Sequence, residues 1–474
     1  MKLTRYLGDR PFWQTTLRIA VPIVIQNLLT SSFALVDTLM VSSLGDLTLS
    51  AVGMAGQWNF VYNMLIIGVS GTLSLFASQF FGVGDEKGIR RSYGMSLLAG
   101  LLFVLLFVLP AALFPREVVR LFNKDPEVIA VGAAYLRIAV WSYPATMLSF
   151  VFASLLRSME KVRQPMYASA VATVLNVFFN YGLIFGKFGL PRMGVEGAAL
   201  ATCISAWSGP LILLAISLIK KDVLTSHLRD VFRFSRRQAA AYVKKCVPLT
   251  FNCGIWGFGT MIVTAIFSNY GYEEYAAVTM LRTFGDLLFA CYVGFGNASI
   301  ILVGQDVGAG RITEAKRNAV RYTVLVILAS AILGGAVAIF RRQLIALYDT
   351  AGTLSDTTIA TAMGILLFYG LEQPFRNVAY IEMDGIYRAG GDAVTGAILD
   401  GSCLWGLAIP MALLSVHVWD LPFVWVFAIT YLVEDVPKTV LCLWHLLSDR
   451  WLKPVTPEGK AGLAAYKAQR AKKK

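Results

Sequence analysis

Charge is scarce in this chain. Of 474 residues only 15% are Asp, Glu, Lys or Arg, against about 25% in soluble proteins, and 57% are hydrophobic. That balance excludes an ordinary soluble domain. The six cysteines (Cys203, Cys246, Cys253, Cys291, Cys403, Cys442) stand singly in apolar stretches with no CxxC, so they read as core packing. Only three histidines occur, His227, His417 and His445, in or near loops and far apart, which leaves no metal motif. A GxxxxGK[ST] phosphate loop is absent, and nothing suggests that the chain hydrolyses nucleotide. No enzyme is expected, and no cofactor.

Long apolar runs are what the sequence does have. "LLAGLLFVLLFVLPAALF" (97–114) and "YTVLVILASAILGGAVAIF" (322–340) contain no charge, and each is long enough to span a bilayer as a helix. Twelve blocks can be drawn, at 14–43, 50–80, 92–114, 128–156, 164–186, 194–219, 241–268, 275–304, 319–340, 357–387, 394–415 and 421–446. The expected fold is all-α integral membrane, with twelve transmembrane helices. The first block follows a short polar lead without a small-residue cleavage pattern, and reads as a retained helix.

Lys and Arg set the orientation. They concentrate in the N-terminus, the C-terminal "RAKKK" and alternate loops such as "KKD" (220–222) and "RFSRR" (233–237), while "GDLT" (45–48) and "GYEE" (271–274) hold none. The positive-inside rule then puts both termini in the cytoplasm of a multi-pass protein in the cell membrane. The net charge of +13 is largely this topological signal, and no nucleic-acid partner is expected.

The chain repeats itself. Sliding the sequence so that Pro22 falls on Pro248 also aligns Gly45 with Gly271, Ala51-Val52 with Ala277-Val278, and Gly68 with Gly294. It further lays "QFFGVG" (79–84) on "QDVGAG" (305–310), with Arg90-Arg91 and Lys316-Arg317 following. An even number of spans per copy makes two parallel-related six-helix lobes. The expected division is residues 1–219, a basic cytoplasmic linker 220–240, residues 241–446 and a basic cytoplasmic tail 447–474. The end of that tail, "AGLAAYKAQRAKKK" (461–474), reads as a disordered or weakly helical extension touching anionic lipid. Two rocking lobes suit a transporter; a receptor or an intramembrane enzyme has no need of them.

Several motifs carry a further signal. "FALVDTLMVSSLGDLTLSAVG", "FASQFFGVGDEKG", "NVFFNYGLIFGKFGLPRMGVEGAALAT" and "GIYRAGGDAVTG" resemble the multidrug and toxic compound extrusion (MATE) family over nearly the whole chain. The resemblance implies a twelve-helix antiporter that exports organic compounds, often cationic and aromatic, on a proton or sodium gradient. The same superfamily contains flippases for lipid-linked precursors.

Asp37 stands in the middle of the largely apolar stretch "SSFALVDTLMVSSLG" (31–45), where a carboxylate at the centre of a membrane helix costs about 2.5–3.5 kcal/mol on insertion scales. It precedes Gly45 by about 12 Å of helix. Intramembrane ionisable groups are functional by default, and the resemblance makes Asp37 an ion-coupling residue for H+ or Na+, the one position where Na+ is expected. Asn176 and Asn180 share a face of the fifth block, in keeping with the family's paired polar positions, and Thr202 joins them as a weaker member. Asn180 stands where the family often has an aspartate, leaving Asp37 as the only acid of that lobe. In the second lobe, Trp256 and Asn377 occupy positions where some branches of the family carry acids, so a cation site on those residues is not expected.

Other polar residues are candidates for a substrate cleft. Gln57, Asn59 and Asn63 lie in the second block, and Trp58, Tyr62 and Trp256 could offer ring faces to a cation. Arg282 with Asp286, and Glu372 with Arg376, are i,i+4 pairs that either neutralise themselves or line the cleft. Glu434 with Lys438 reads as a structural pair of the same kind, and Asp400 is an unassigned intramembrane acid. The expected function is a secondary antiporter, working as a monomer by alternating access, that exports cationic or neutral amphipathic compounds in exchange for H+ or Na+. Its partners are the small-molecule substrate and membrane lipid. A flippase for lipid-linked precursors is the alternative; a membrane-embedded enzyme is the least favoured.

Overall fold

The computed structural model describes residues 8–221, 223–225, 228–348 and 354–472. Asp222, His227 and the last two lysines of "RAKKK" lie outside the described residues. Every regular element among those described is a helix; besides the short helices Pro115–Arg120 and Leu228–Val231 these are α1 (Arg10–Ser42), α2 (Asp46–Gly82), α3 (Glu86–Leu113), α4 (Pro126–Ser158, with one 3-10 turn inside), α5 (Arg163–Phe185), α6 (Val195–Lys220), α7 (Arg236–Ser268), α8 (Tyr272–Gly308) and α9 (Ile312–Tyr348). Then come α10 (Asp356–Tyr380, continued by a π segment Ile381–Tyr387 and a last turn Arg388–Gly390), α11 (Ala393–Cys403, then π turns Leu404–Ala408 and a last helical stretch Ile409–His417), α12 (Phe423–Leu447) and α13 (Pro457–Ala471).

Among the described residues, ten helices are apolar and long enough to cross a membrane. The other two of α1–α12 are α10 and α12. They are long enough but more polar: α10 carries Glu372 and Arg376, and α12 carries Glu434, Asp435 and Lys438. Together α1–α12 supply the twelve spans expected from the apolar blocks. Lipid stands in for water as the solvent of the outer faces, so α3 leaves Leu102 64% and Leu106 57% exposed. Between helices, small residues permit close approach, as where Gly334 of α9 meets Gly370 of α10.

The helix ends follow local chemistry. Asp85 caps α3 by accepting from the Gly88 N–H at 2.9 Å, and Ser355 caps α10 by accepting from that of Thr358 at 3.2 Å. Both copies of the duplicated motif end alike: Gly84 has φ +71° and Gly310 φ +76°, a left-handed turn that glycine takes without steric cost.

The chain forms two compact units. The N-terminal unit comprises Val21–Ala77 and Asp85–Thr250; the C-terminal unit comprises Met1–Ala20, Ser78–Gly84 and Phe251–Lys474. These bounds cut the chain differently from lobes at 1–219 and 241–446. Helix α1 changes unit beside Pro22 and α7 changes unit beside Pro248, where a missing N–H interrupts the helical ladder. In the N-terminal unit, Tyr62 stacks on Tyr143 at 4.7 Å between centroids and donates to the Tyr143 carbonyl at 2.7 Å. In the C-terminal unit, Phe267, Met280, Ile365, Leu366 and Phe427 belong to one buried apolar cluster drawn from α7, α8, α10 and α12.

Also within the C-terminal unit, the two motif copies cross at their glycines. Gly82 presses on the backbone of Gln305 and Gly308 on the backbone of Gln79, with no room for a Cβ at either. The stretch expected to be disordered or weakly helical lies in α13 as far as Ala471, and the residues between α12 and α13 are packed. Trp451 is fully buried, and Thr456 caps α13 by accepting from the Gly459 N–H at 3.1 Å.

Candidate functional site

Asp37 reaches the site from α1, near the end of the helix, and is half-buried. Asn176 and Asn180, one turn apart on α5, are completely buried. Asn180 Nδ2 donates to Asp37 Oδ1 at 2.6 Å and also to Asn176 Oδ1. Asn176 Nδ2 donates to Ser205 Oγ at 2.9 Å, and Ser205 donates to the Thr202 carbonyl at 3.0 Å. Tyr135 of α4 hydrogen-bonds Thr202 and lies within electrostatic range of Asp37. The apolar residues Val41, Ile184 and Ala198 form a small cluster from the same helices, with Tyr135 and Phe185 packed against it.

This network brings together all four residues expected around the ion: Asp37, Asn176, Asn180 and Thr202. It leaves one group unmatched, since Asn180 Oδ1 is buried without a hydrogen-bond partner. A buried polar atom in that state carries a desolvation cost. An amide oxygen beside a carboxylate can share a proton or take part in coordinating a monovalent cation. Ser205 and Tyr135 escaped the sequence reading because a hydroxyl carries no periodic signal; Ser205 could have been found as the residue one turn after Thr202.

The C-terminal unit holds a second polar cluster. Lys438 Nζ lies 2.7 Å from Glu434, 3.2 Å from Asp435 and 3.3 Å from Asp400. Glu434 and Lys438 are therefore not an isolated structural pair as expected but part of a hub. The carboxyls of Asp435 and Glu372 face each other within hydrogen-bonding range. Arg376 lies 3.5 Å from Glu372 and 5.3 Å from the centre of the Tyr431 ring. Asp286 is exposed, within electrostatic range of Arg282 and Arg376, and Arg282 donates to Thr264 Oγ1 at 2.5 Å. Asn252 approaches Asp400 at 3.5 Å, and Asp384 pairs with Arg388. Acids outnumber bases here, and groups of this kind inside a membrane protein pair with one another or mark a substrate or ion pathway.

Of the remaining candidates, Gln57 and Asn63 are partly buried on α2, Asn59 is exposed, and Trp256 is 37% exposed on α7. Two aromatics that could offer ring faces to a cation make hydrogen bonds to neighbouring helices. Trp58 donates to the Phe107 carbonyl at 3.1 Å and packs on that ring, and Tyr62 is committed to Tyr143. Their indole and phenol groups find interhelical partners, which is the common fate of a buried polar aromatic.

The MatE family model matches residues 22–182 and again 248–414, both matches opening on the repeated proline. The chain belongs to the MatE family. It is 27% identical to the "Probable multidrug resistance protein NorM" of Rhizobium meliloti, an alignment covering 88% of this chain and 86% of that protein. Among solved structures, an aspartate-to-asparagine mutant of the Vibrio cholerae MATE transporter VcmN superposes with a TM-score of 0.83 at 17% identity, covering 93% of this chain and 98% of that one. A multidrug resistance MATE transporter in an outward-facing conformation gives 0.80 at 17% identity, over 94% and 98%. This MATE protein is thus a multi-pass membrane transporter of the multidrug efflux family and not an enzyme; such transporters bind small molecules within the membrane and need no cofactor.

Proposed function

We propose that this MATE transporter is a secondary antiporter. It exports organic compounds, cationic or neutral and amphipathic, and is driven by one monovalent cation, H+ or Na+, that binds at Asp37. The observation that carries the reading is the Asp37–Asn180 pair with its unmatched Asn180 Oδ1. Cation binding at Asp37 changes the charge and hydrogen bonding between α1 and α5. Coupling requires only that cation and substrate favour different states of the alternating cycle. The acid-rich cluster of Glu372, Asp400, Glu434 and Asp435 favours positive substrates over the anionic head groups of lipid-linked precursors. Both termini face the cytoplasm in this reading, and the transporter acts as a monomer.

Proteoliposomes loaded with a cationic dye test the proposal. Dye should move only when an inward-directed H+ or Na+ gradient is imposed, and the gradient that works identifies the ion. Equal dye movement with neither gradient would contradict antiport.

A further inference from the structure

Nothing in the transport cycle described above uses the segment after α12, and a free basic tail would expose Trp451 and Leu452. Both are buried. Gly390 packs on Trp451, and the Gly390 carbonyl accepts from the Lys453 N–H at 2.7 Å. Lys453 Nζ lies 2.6 Å from Asp392. Thr456 Oγ1 donates to the Gly308 carbonyl at 2.6 Å, and α13 runs past Gly310 so closely that a Cβ there would meet the Glu458 carbonyl. The Val455 N–H donates to Gln79 Oε1 at 2.8 Å, and Gln79 Nε2 donates to the Ala389 carbonyl at 2.7 Å. Gln79 is fully buried. One strand of chain therefore engages the ends of α2, α8 and α10, including both copies of the duplicated motif.

The repeat gives this arrangement a counterpart. Arg90 and Lys316 are equivalent positions, and each pairs with an acid from the segment that follows its own six helices: Arg90 with Asp230 at 3.8 Å and Lys316 with Asp449 at 2.6 Å. The C-terminal segment goes further, because it also grips Gln79. Gln79 lies in the C-terminal unit, while α2 as far as Ala77 belongs to the N-terminal unit. The helix is unbroken between them, so displacement of α2 pulls on Gln79.

We propose that the segment Ser448–Ala471 is a cytoplasmic latch, released at Gln79 and Gly308 when the transporter opens inward and reseated when it closes. The inference rests on the alternating cycle and topology proposed above. Hydrogen bonds between neutral groups are weak enough to be broken and remade on each turnover. The latch slows the return to the inward-open state.

Two variants on separate grips test it: Gln79→Leu, which removes both bonds of that side chain and leaves α13 capped, and Thr456→Val, which removes the bond to Gly308 together with the α13 cap. Hydrogen exchange of the peptide carrying Val455 is read on the full chain in nanodiscs, and export of a dye that the wild type carries is read at matched membrane abundance. Exchange should rise about tenfold in each variant, as expected for a lost hydrogen bond of ordinary strength. The maximal export rate should rise at least about twofold with KM unchanged, because release rather than substrate binding is eased. Faster exchange with an unchanged or lower maximal rate would make the segment a structural plug and overturn the proposal. Unchanged exchange in both variants would overturn it as well. The exchange measurement needs no substrate, so a failure of the export reading is distinguishable from a failure of the latch.

Discussion

Asn180 holds the carboxylate of Asp37 through a 2.6 Å hydrogen bond between α5 and α1. A hydrogen bond to a charged group contributes about 1.5–3 kcal/mol. Asn180→Leu should therefore lower dye export at least about tenfold at matched abundance. Wild-type export in this variant would detach the amide from coupling.

Lys438 serves three carboxylates at once. Removing one partner of a buried ion pair typically destabilises by about 3–5 kcal/mol, because the remaining charge is stranded. Lys438→Met should lower the thermal unfolding midpoint in detergent sharply. Adding Asp435→Asn should recover part of the loss, since one stranded charge is removed. An unchanged midpoint in the single variant would show that the hub is solvated.

The crossing of the duplicated motifs predicts a position-specific response to alanine. At Gly82 or Gly308 a methyl group would meet the backbone of Gln305 or Gln79, and such overpacking costs about 1–3 kcal/mol. Gly53, also in α2, has open space around it, so Gly53→Ala should be neutral or stabilise by up to about 1 kcal/mol. Unfolding midpoints of the three variants check this ordering. Equal behaviour would mean that the crossing is not tightly packed.

Asp392 gives the latch a pH signature. Burial alone would raise its carboxyl, but the Lys453 ammonium, Thr395 and His445 together hold it below the ordinary 3.8. A carboxyl whose value falls on folding stabilises the fold above its unfolded value and stops doing so as pH drops through the folded value. The wild type should be more stable than Asp392→Asn at neutral pH, and that advantage should shrink below about pH 3.8. A difference independent of pH between roughly 3 and 7 would rule out a charged Asp392 as the cause.

Much of this was legible in the sequence, for reasons that also explain what was not. Twelve spans follow from apolar length, and the duplication follows from Pro22/Pro248 and the paired QxxGxG motifs, whose glycines the structure places at one crossing. Spacing marks one helix face for Asn176 and Asn180, whereas their grouping with Asp37 and Thr202 was an implication of the family resemblance; the structure brings the four side by side. The Lys438 hub was only half visible. Spacing within α12 shows Glu434 as a partner, but Asp400 arrives from α11 and Glu372 faces Asp435 from α10, and no periodicity reports which helices are neighbours. The partners of Trp58 and Tyr62 were illegible for the same reason, since the acceptor carbonyls of Phe107 and Tyr143 sit on other helices. The anchoring of the segment after α12 was illegible because the backbone carbonyls of Gly308 and Gly390 leave no mark in a sequence, and its side-chain partners Gln79 and Asp392 lie far away along the chain.

The most direct test of the central claim is export of a cationic dye by cells carrying wild type or Asp37→Asn at equal membrane abundance, with Na+ present and absent. The account predicts export by the wild type and essentially none by Asp37→Asn, while the folded variant still binds dye. Equal export by the two proteins would contradict it and move the coupling cation away from Asp37.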